Sequence, residues 1–225
     1  MLKIAGGPEE CNGAYLMEWW RGDGAARVLA HDSPALLLER ATGAGSLAAM
    51  AEAGEDDRAS RILCAAVARL HAPRLPRPPA TLIPLTVWFR QLEPAAAAHG
   101  GVLATAAAAA RTLLAAPRDE GVLHGDIHHD NVLDFGQRGW LAIDPKGLMG
   151  ERTFDYLNLF FNPWPAAAAP GRFERRLELV SQAAGLEPRR LRSWIIAWGG
   201  LSAAWTLQDG RDAANALLIA RIAAG

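Results

Sequence analysis

Three oxygen-bearing side chains stand at a spacing that can do chemistry. Asp126 precedes the carboxamide of Asn131 by five positions, and a second carboxylate, Asp144, follows after two short apolar runs. Residues 132–135 and 140–143 are four-residue strand candidates joined by Gly136-Gln137-Arg138-Gly139, which reads as a hairpin. Pairing Phe135 with Trp140 sets Asn131 opposite Asp144 in the same antiparallel register, at the hairpin's open end. Hard oxygen donors of this kind suit Mg²⁺, which takes one or two protein oxygens and completes its shell with water and phosphate oxygens. A competing metal set would use His124, His128, His129 and Asp130, with His124 and His128 one helical turn apart. Gly125 and the strand-like neighbours speak against a helix there.

The elements that position these groups are short in the first part of the chain and mostly helical in the rest. Residues 1–5 read as a strand end and 8–20 as a helix with Pro8 near its first position and Glu9 and Glu10 in its first turn. Two apolar runs, 25–30 and 35–38, flank His31-Asp32-Ser33-Pro34 at hairpin spacing. Ser46 is placed to cap a short helix ending near Gly54, and 57–71 carries apolar residues at helical spacing before the Pro-rich stretch 73–84. Residues 100–116 form a further helix, and the chain is read as helical from Phe154 onward, with breaks near 163–171 and 185–188. His71 and His99 read as ordinary surface or helix-end residues, and Trp19, Trp20, Trp194, Trp198 and Trp205 as core. Asp209 and Asp212 read as solvated helix-end charges. The expected class is α+β in two lobes.

Composition narrows the setting. The 225 residues are 51% hydrophobic and 21% charged, with a formal net charge of -1, a globular balance that does not suggest a nucleic-acid partner. Two cysteines are too few for a disulfide framework, no apolar run reaches membrane-spanning length, and no secretory signal is visible, so a cytoplasmic setting with no membrane partner is expected. Of 23 basic residues, 21 are Arg, and only Lys3 and Lys146 are Lys. That contrast raises the question of whether two sites require a compact ammonium. Lys146, two positions after Asp144, is placed either to meet a phosphate or to pair with Asp155 or Glu151.

The order Asp, four residues, Asn, and a later Asp after a second strand is the one kinases use. His124-Gly125-Asp126 with Asn131, Ile143-Asp144-Pro145-Lys146-Gly147 and Gly150-Glu151-Arg152-Thr153-Phe154-Asp155 together resemble the aminoglycoside phosphotransferase superfamily. Within it, the chain is most similar to the aminoglycoside/hydroxyurea antibiotic resistance kinases, a group that includes streptomycin 6-phosphotransferases. The match runs from Leu2 to about Trp205, through Leu36-Leu37-Leu38-Glu39-Arg40, Leu70-His71-Ala72-Pro73 and Trp88-Phe89-Arg90.

This resemblance implies a protein-kinase-like fold, with a truncated N-terminal β lobe over 1–41 and a mainly helical lobe over 42–225. It implies ATP and Mg²⁺ as cofactors and a small-molecule acceptor, an aminoglycoside such as streptomycin first and hydroxyurea second. By the same resemblance Asp126 is the catalytic, base-like residue, and Asn131 and Asp144 hold Mg²⁺. Lys3 contacts the nucleotide phosphates and pairs with Glu10 or Glu9, and the backbone of Glu39, Arg40 and Ala41 forms the adenine hinge. Asp155 braces the catalytic loop, with His124 a structural member of it. The family places a Gly-rich strand-turn-strand ahead of this lysine. Lys3 is the third residue here, so either the true start lies further upstream or the lobe lacks that hairpin, in which case weaker nucleotide binding is expected.

Overall fold

In the computed structural model, all residues are described except 5–7, 33–34 and 76, together with the side chains of 8–11. Strand β1 (Leu2–Ile4) leads to helix α1 (Pro8–Trp20) and the hairpin of β2 (Val28–Asp32) and β3 (Ala35–Leu38). These strands form one antiparallel sheet in the order β1-β3-β2, with Lys3 opposite Leu36. The expected short helix is α2 (Leu47–Glu52), whose first turn is closed by Ser46 Oγ accepting from Ala49 N–H at 3.2 Å. Helix α3 (Asp56–Leu70) buries Ala59, Leu63, Ala66, Val67 and Leu70, the inward stripe its spacing predicts.

The remainder is mainly helical. Short strand β4 (Ile83–Pro84) runs into α4 (Leu85–Trp88), α5 (Leu92–His99) and α6 (Gly101–Ala115). Then come β5 (Glu120–Leu123), the hairpin of β6 (Val132–Asp134) and β7 (Trp140–Ala142), and β8 (Leu148–Glu151). Helices α7 (Arg172–Ala184), α8 (Pro188–Gln208) and α9 (Ala214–Ala224) complete the chain. Two features differ from the sequence expectation. β8 joins β4 and β5 in a second three-stranded sheet, and residues Arg152–Phe160, read as the start of a helical region, form a 3₁₀ segment.

The core centres on α8, which packs between α6 and α9. Gly200 permits the approach: a Cβ there would lie 2.2 Å from the Cβ of Ala106. An edge-to-face run of aromatics lines the inner side of α8, with Phe154 to Trp198 at 5.2 Å, Trp198 to Trp205 at 5.5 Å and Trp205 to Trp88 at 5.2 Å. The N-terminal elements are tied to the hairpin through backbone: Ala26 N–H donates to Ala142 O at 2.9 Å and Ala142 N–H to Gly24 O at 3.0 Å. Among the described residues, no helix is long and apolar enough to cross a membrane.

Candidate active site

The β6–β7 hairpin forms where expected but one residue out of the predicted register. Its pairs are Val132 with Ala142, Leu133 with Leu141 and Asp134 with Trp140. The turn is the cause: residues Gly136–Arg138 make a 3₁₀ turn and Phe135 N–H closes onto Gly139 O at 2.9 Å, so Phe135 faces Gly139 rather than Trp140. Asn131 therefore faces Ile143, whose N–H donates to Asn131 O at 2.9 Å. A one-residue slip turns side chains to the other face. Asp144, one position beyond the pair, takes a left-handed φ of 65°, which reorients the chain there.

The loop before the hairpin is fixed largely from behind. Asp155, 2% exposed, accepts His124 N–H at 2.9 Å through Oδ2 and Gly125 N–H at 2.7 Å through Oδ1. Its Oδ2 also meets His71 Nε2 at 2.8 Å. Burial raises the Asp155 carboxyl pKa, but the His71 hydrogen bond and the other donors outweigh it, leaving the group below its usual range and ionised. His71 is thus the C-cap of α3, as the helix-end reading expects, and a support of the site besides.

His124 has its pKa lowered by burial and is therefore neutral. Its Nε2 faces Ile143 O at 2.8 Å and must carry the hydrogen, while Nδ1 accepts Asp126 N–H at 3.2 Å. Both ring nitrogens are engaged and Trp20 stacks on the ring at 6.0 Å, which leaves His124 no ligand position to offer the His-rich metal set. Among the described residues, no three His, Cys, Asp or Glu side chains converge as a metal-binding group.

Asp126 is partly exposed and held at both oxygens. Asn158 Nδ2 donates to Oδ1 at 2.8 Å, and Lys146 Nζ lies 3.5 Å from Oδ2. Lys146 therefore pairs with neither Asp155 nor Glu151. Asp155 is engaged as described, and Glu151 is taken by Arg190 Nε at 2.7 Å and Trp194 Nε1 at 2.8 Å. Asn158 Oδ1 in turn accepts Trp198 Nε1 at 2.7 Å, so that indole does more than fill the core. Sequence reading passed over Asn158, although a signal was present. It lies three residues after Asp155, and in a 3₁₀ segment residues i and i+3 fall on one side.

Asn131 spends its Nδ2 on Asp126 O at 2.9 Å, which turns its carboxamide oxygen away as the free donor end. Lys3 Nζ forms a salt bridge with Asp144 Oδ1. A carboxamide oxygen and a half-exposed carboxylate fit a hard cation such as Mg²⁺. The side chains of Glu9 and Glu10, expected to pair with Lys3, lie outside the described residues. Helix α1 nonetheless packs on the loop after Asp144, because a Cβ on Gly13 would sit 2.0 Å from Pro145 O. Glu39 accepts Arg27 N–H at 2.6 Å and pairs with Arg138, while its own N–H goes to Arg27 O at 3.0 Å. Arg40 is exposed and Ala41 packs against the core.

A cavity of about 450 Å³ opens at Lys146 and is walled by Trp88, Arg90, Gln91, Trp205, Gln208 and Asp209. Two atoms of its wall residues, Trp88 Nε1 and Gln91 Oε1, are buried without a hydrogen-bond partner among the described residues. A second cavity of about 380 Å³, reached from Asn158, has no such atom on its wall residues.

A carboxylate braced at both oxygens, beside a hairpin that presents a carboxamide and a second carboxylate and next to a polar cavity, suits a phosphotransferase of the kinase type. Comparison with known proteins places it more narrowly. The family model for aminoglycoside/hydroxyurea antibiotic resistance kinases matches residues 1–210, and the chain belongs to that family. It is 59% identical to a streptomycin 3''-kinase of Klebsiella pneumoniae over 216 residues, covering 93% of this chain and 80% of the relative. It is 31% identical to a streptomycin 6-kinase of Streptomyces griseus over 227 residues, covering 94% and 72%. The fold is similar to that of an aminoglycoside phosphotransferase, APH(4)-Ia, in a ternary complex with ADP and hygromycin B, at a TM-score of 0.62 and 19% identity over 94% of this chain and 82% of the other.

Proposed function

We propose that this chain transfers the γ-phosphoryl group of Mg²⁺-ATP to the 3''-hydroxyl of streptomycin. The observation that carries the reading is the state of Asp126: a carboxylate fixed by Asn158 and Lys146, next to the cavity that Lys146 lines and five positions ahead of Asn131. Identity of 59% to a streptomycin 3''-kinase against 31% to a 6-kinase supports the acceptor and the position of the hydroxyl.

In this reading, Asp126 orients the acceptor hydroxyl and takes its proton as the oxygen bonds to the γ-phosphorus. The bond from that phosphorus to the bridging oxygen breaks, and ADP leaves with the electron pair. Asn131 and Asp144 hold Mg²⁺, which when bound neutralises charge on the phosphate oxygens. Lys3, on the Asp144 side, meets the α- and β-phosphates, and the backbone of Glu39, Arg40 and Ala41 receives adenine. Asp155 and His124 hold the loop in place without exchanging protons.

The acceptor enters from the cavity at Lys146. Its two indoles, Trp88 and Trp205, with the carboxamides of Gln91 and Gln208 and the Asp209 carboxylate, which Arg211 meets at 2.6 Å, give stacking and polar surface for a polyhydroxylated ring. Incubating the chain with streptomycin and labelled ATP should yield mono-phosphorylated antibiotic, and Asp126→Ala should lower kcat by about 10³-fold, within the range for loss of a general base. Full turnover by that variant would remove Asp126 from the mechanism.

A further inference from the structure

The chemistry needs Asp126 in one orientation, yet it stands on a loop and is partly exposed. Its Oδ1 is held by a neutral carboxamide, Asn158, and an asparagine can present either of two opposite ends. If its oxygen faced Asp126, two acceptor groups would meet and the carboxylate would be pushed away.

Behind Asn158 stands Trp198, 7% exposed on α8 and packed edge-to-face against Phe154 at 5.2 Å and Trp205 at 5.5 Å. An indole N–H can only donate, so the bond from Trp198 Nε1 to Asn158 Oδ1 at 2.7 Å admits one orientation of the carboxamide. That orientation is the one in which Nδ2 reaches Asp126 Oδ1 at 2.8 Å. The backbone of Asn158 is steadied as well, since its carbonyl accepts Asn162 Nδ2 at 3.0 Å.

We propose that Asn158 is a positioning residue for phosphoryl transfer and that Trp198 sets its polarity, so that a donor-only indole in the core fixes the orientation of Asp126 through one intervening amide. The proposal rests on the kinase reading above for its effect on rate, whereas the relay itself is a property of the fold. Asn158 touches neither substrate in this scheme, so its loss acts on kcat and not on binding.

The test is a cycle of Asn158→Ala, Trp198→Phe and the double variant, with kcat and both KM values measured at saturating Mg²⁺-ATP and streptomycin on folded protein. Asn158→Ala should lower kcat about 10- to 100-fold, the range expected for a hydrogen bond to a charged group, with both KM values within about twofold. Trp198→Phe keeps a ring and removes the N–H. It should lower kcat about 3- to 10-fold in the parent and have no further effect where residue 158 is Ala. An unchanged kcat in Asn158→Ala, or equal losses from Trp198→Phe in both backgrounds, overturns the relay.

Asn158→Asp, similar in size but repelling Asp126, should be at least as slow as the Ala variant and serves if Trp198→Phe does not fold. If the parent chain fails to phosphorylate streptomycin, the acceptor reading falls and the relay is read by NMR on ¹⁵N-labelled protein. Asp126→Ala should then shift both the Asn158 amide and the Trp198 indole N–H resonances. Two unmoved resonances would discard the relay on their own.

Discussion

Asp126 and Asp144 flank the same hairpin, and each meets one of the chain's two lysines, yet they are held in different ways. Behind Asp126 lie Asn158, Trp198 and the aromatic core of α8, and its loop is fastened to buried Asp155. Asp144 faces Lys3, which rides on β1, a three-residue outer strand whose Leu2 and Ile4 are 64% and 66% exposed. One carboxylate inherits its place from close-packed interior. The other meets its lysine on an outer strand, in a sheet tied to the hairpin by backbone hydrogen bonds, by the Glu39–Arg138 pair and by the buried side chains of Leu36 and Leu38. In the proposed reading the acceptor half is therefore backed by close-packed interior at its carboxylate, whereas the nucleotide half draws its lysine from a strand with exposed neighbours.

The comparison is sharpest in paired lysine variants, where the largest kinetic effects among these tests are expected. Lys3→Met should raise the KM for ATP more than about tenfold and abolish most of the thermal stabilisation by Mg²⁺-ATP. Lys146→Met should lower kcat about 30-fold while leaving that stabilisation intact, the size of one charge-assisted contact. Identical kinetic signatures for the two variants would break the division between halves.

Glu151 tests the scaffold behind the acceptor half without touching the chemistry. It is 2% exposed and accepts from Arg190, Trp194, Thr153 Oγ1 at 3.0 Å and Arg118 N–H at 3.0 Å. Burial raises its carboxyl pKa, but Arg190 and the other donors hold it below the usual range. Glu151→Gln should cost about 3 kcal/mol near neutral pH, because Arg190 loses its charge partner. Since the native carboxyl is the stronger acid, its contribution is present above its ordinary pKa of 4.5 and fades as pH falls through the lower native value. Chemical denaturation of parent and variant should therefore converge in acid, and a constant gap down to pH 3 would refute the assignment.

The smallest effect is expected at Ser46, in the segment leading from the N-terminal sheet to α2. Ser46→Ala removes the α2 cap and should cost about 1 kcal/mol in denaturant, with kcat and KM unchanged. A kinetic change there would mean that the segment transmits to the site.

Much of this organisation was legible from sequence because it is local. Pro8 at the start of α1, Ser46 before α2 and the inward stripe of α3 each carry their own signal, and the Asp126, Asn131 and Asp144 spacing picked out residues that the fold sets on one loop and hairpin. The register of β6–β7 was not legible, since it depends on a 3₁₀ turn that closes Phe135 onto Gly139. β8 was missed because its partners, Ile83–Pro84 and Glu120–Leu123, are remote in the chain. The partners of His71 and Asn158 were not legible for a related reason: each acts on a carboxylate that folding brings to it, 84 and 32 residues away.

A chain that uses arginine for nearly all its positive charge leaves only two side-chain primary amines, and both lie against Asp126 or Asp144. Amine-directed reagents, from biotin esters to surface-coupling chemistries, therefore have no harmless lysine to modify. Coupling through a lysine would attach the protein beside Asp126 or Asp144, whereas a handle placed in a tag would leave both open.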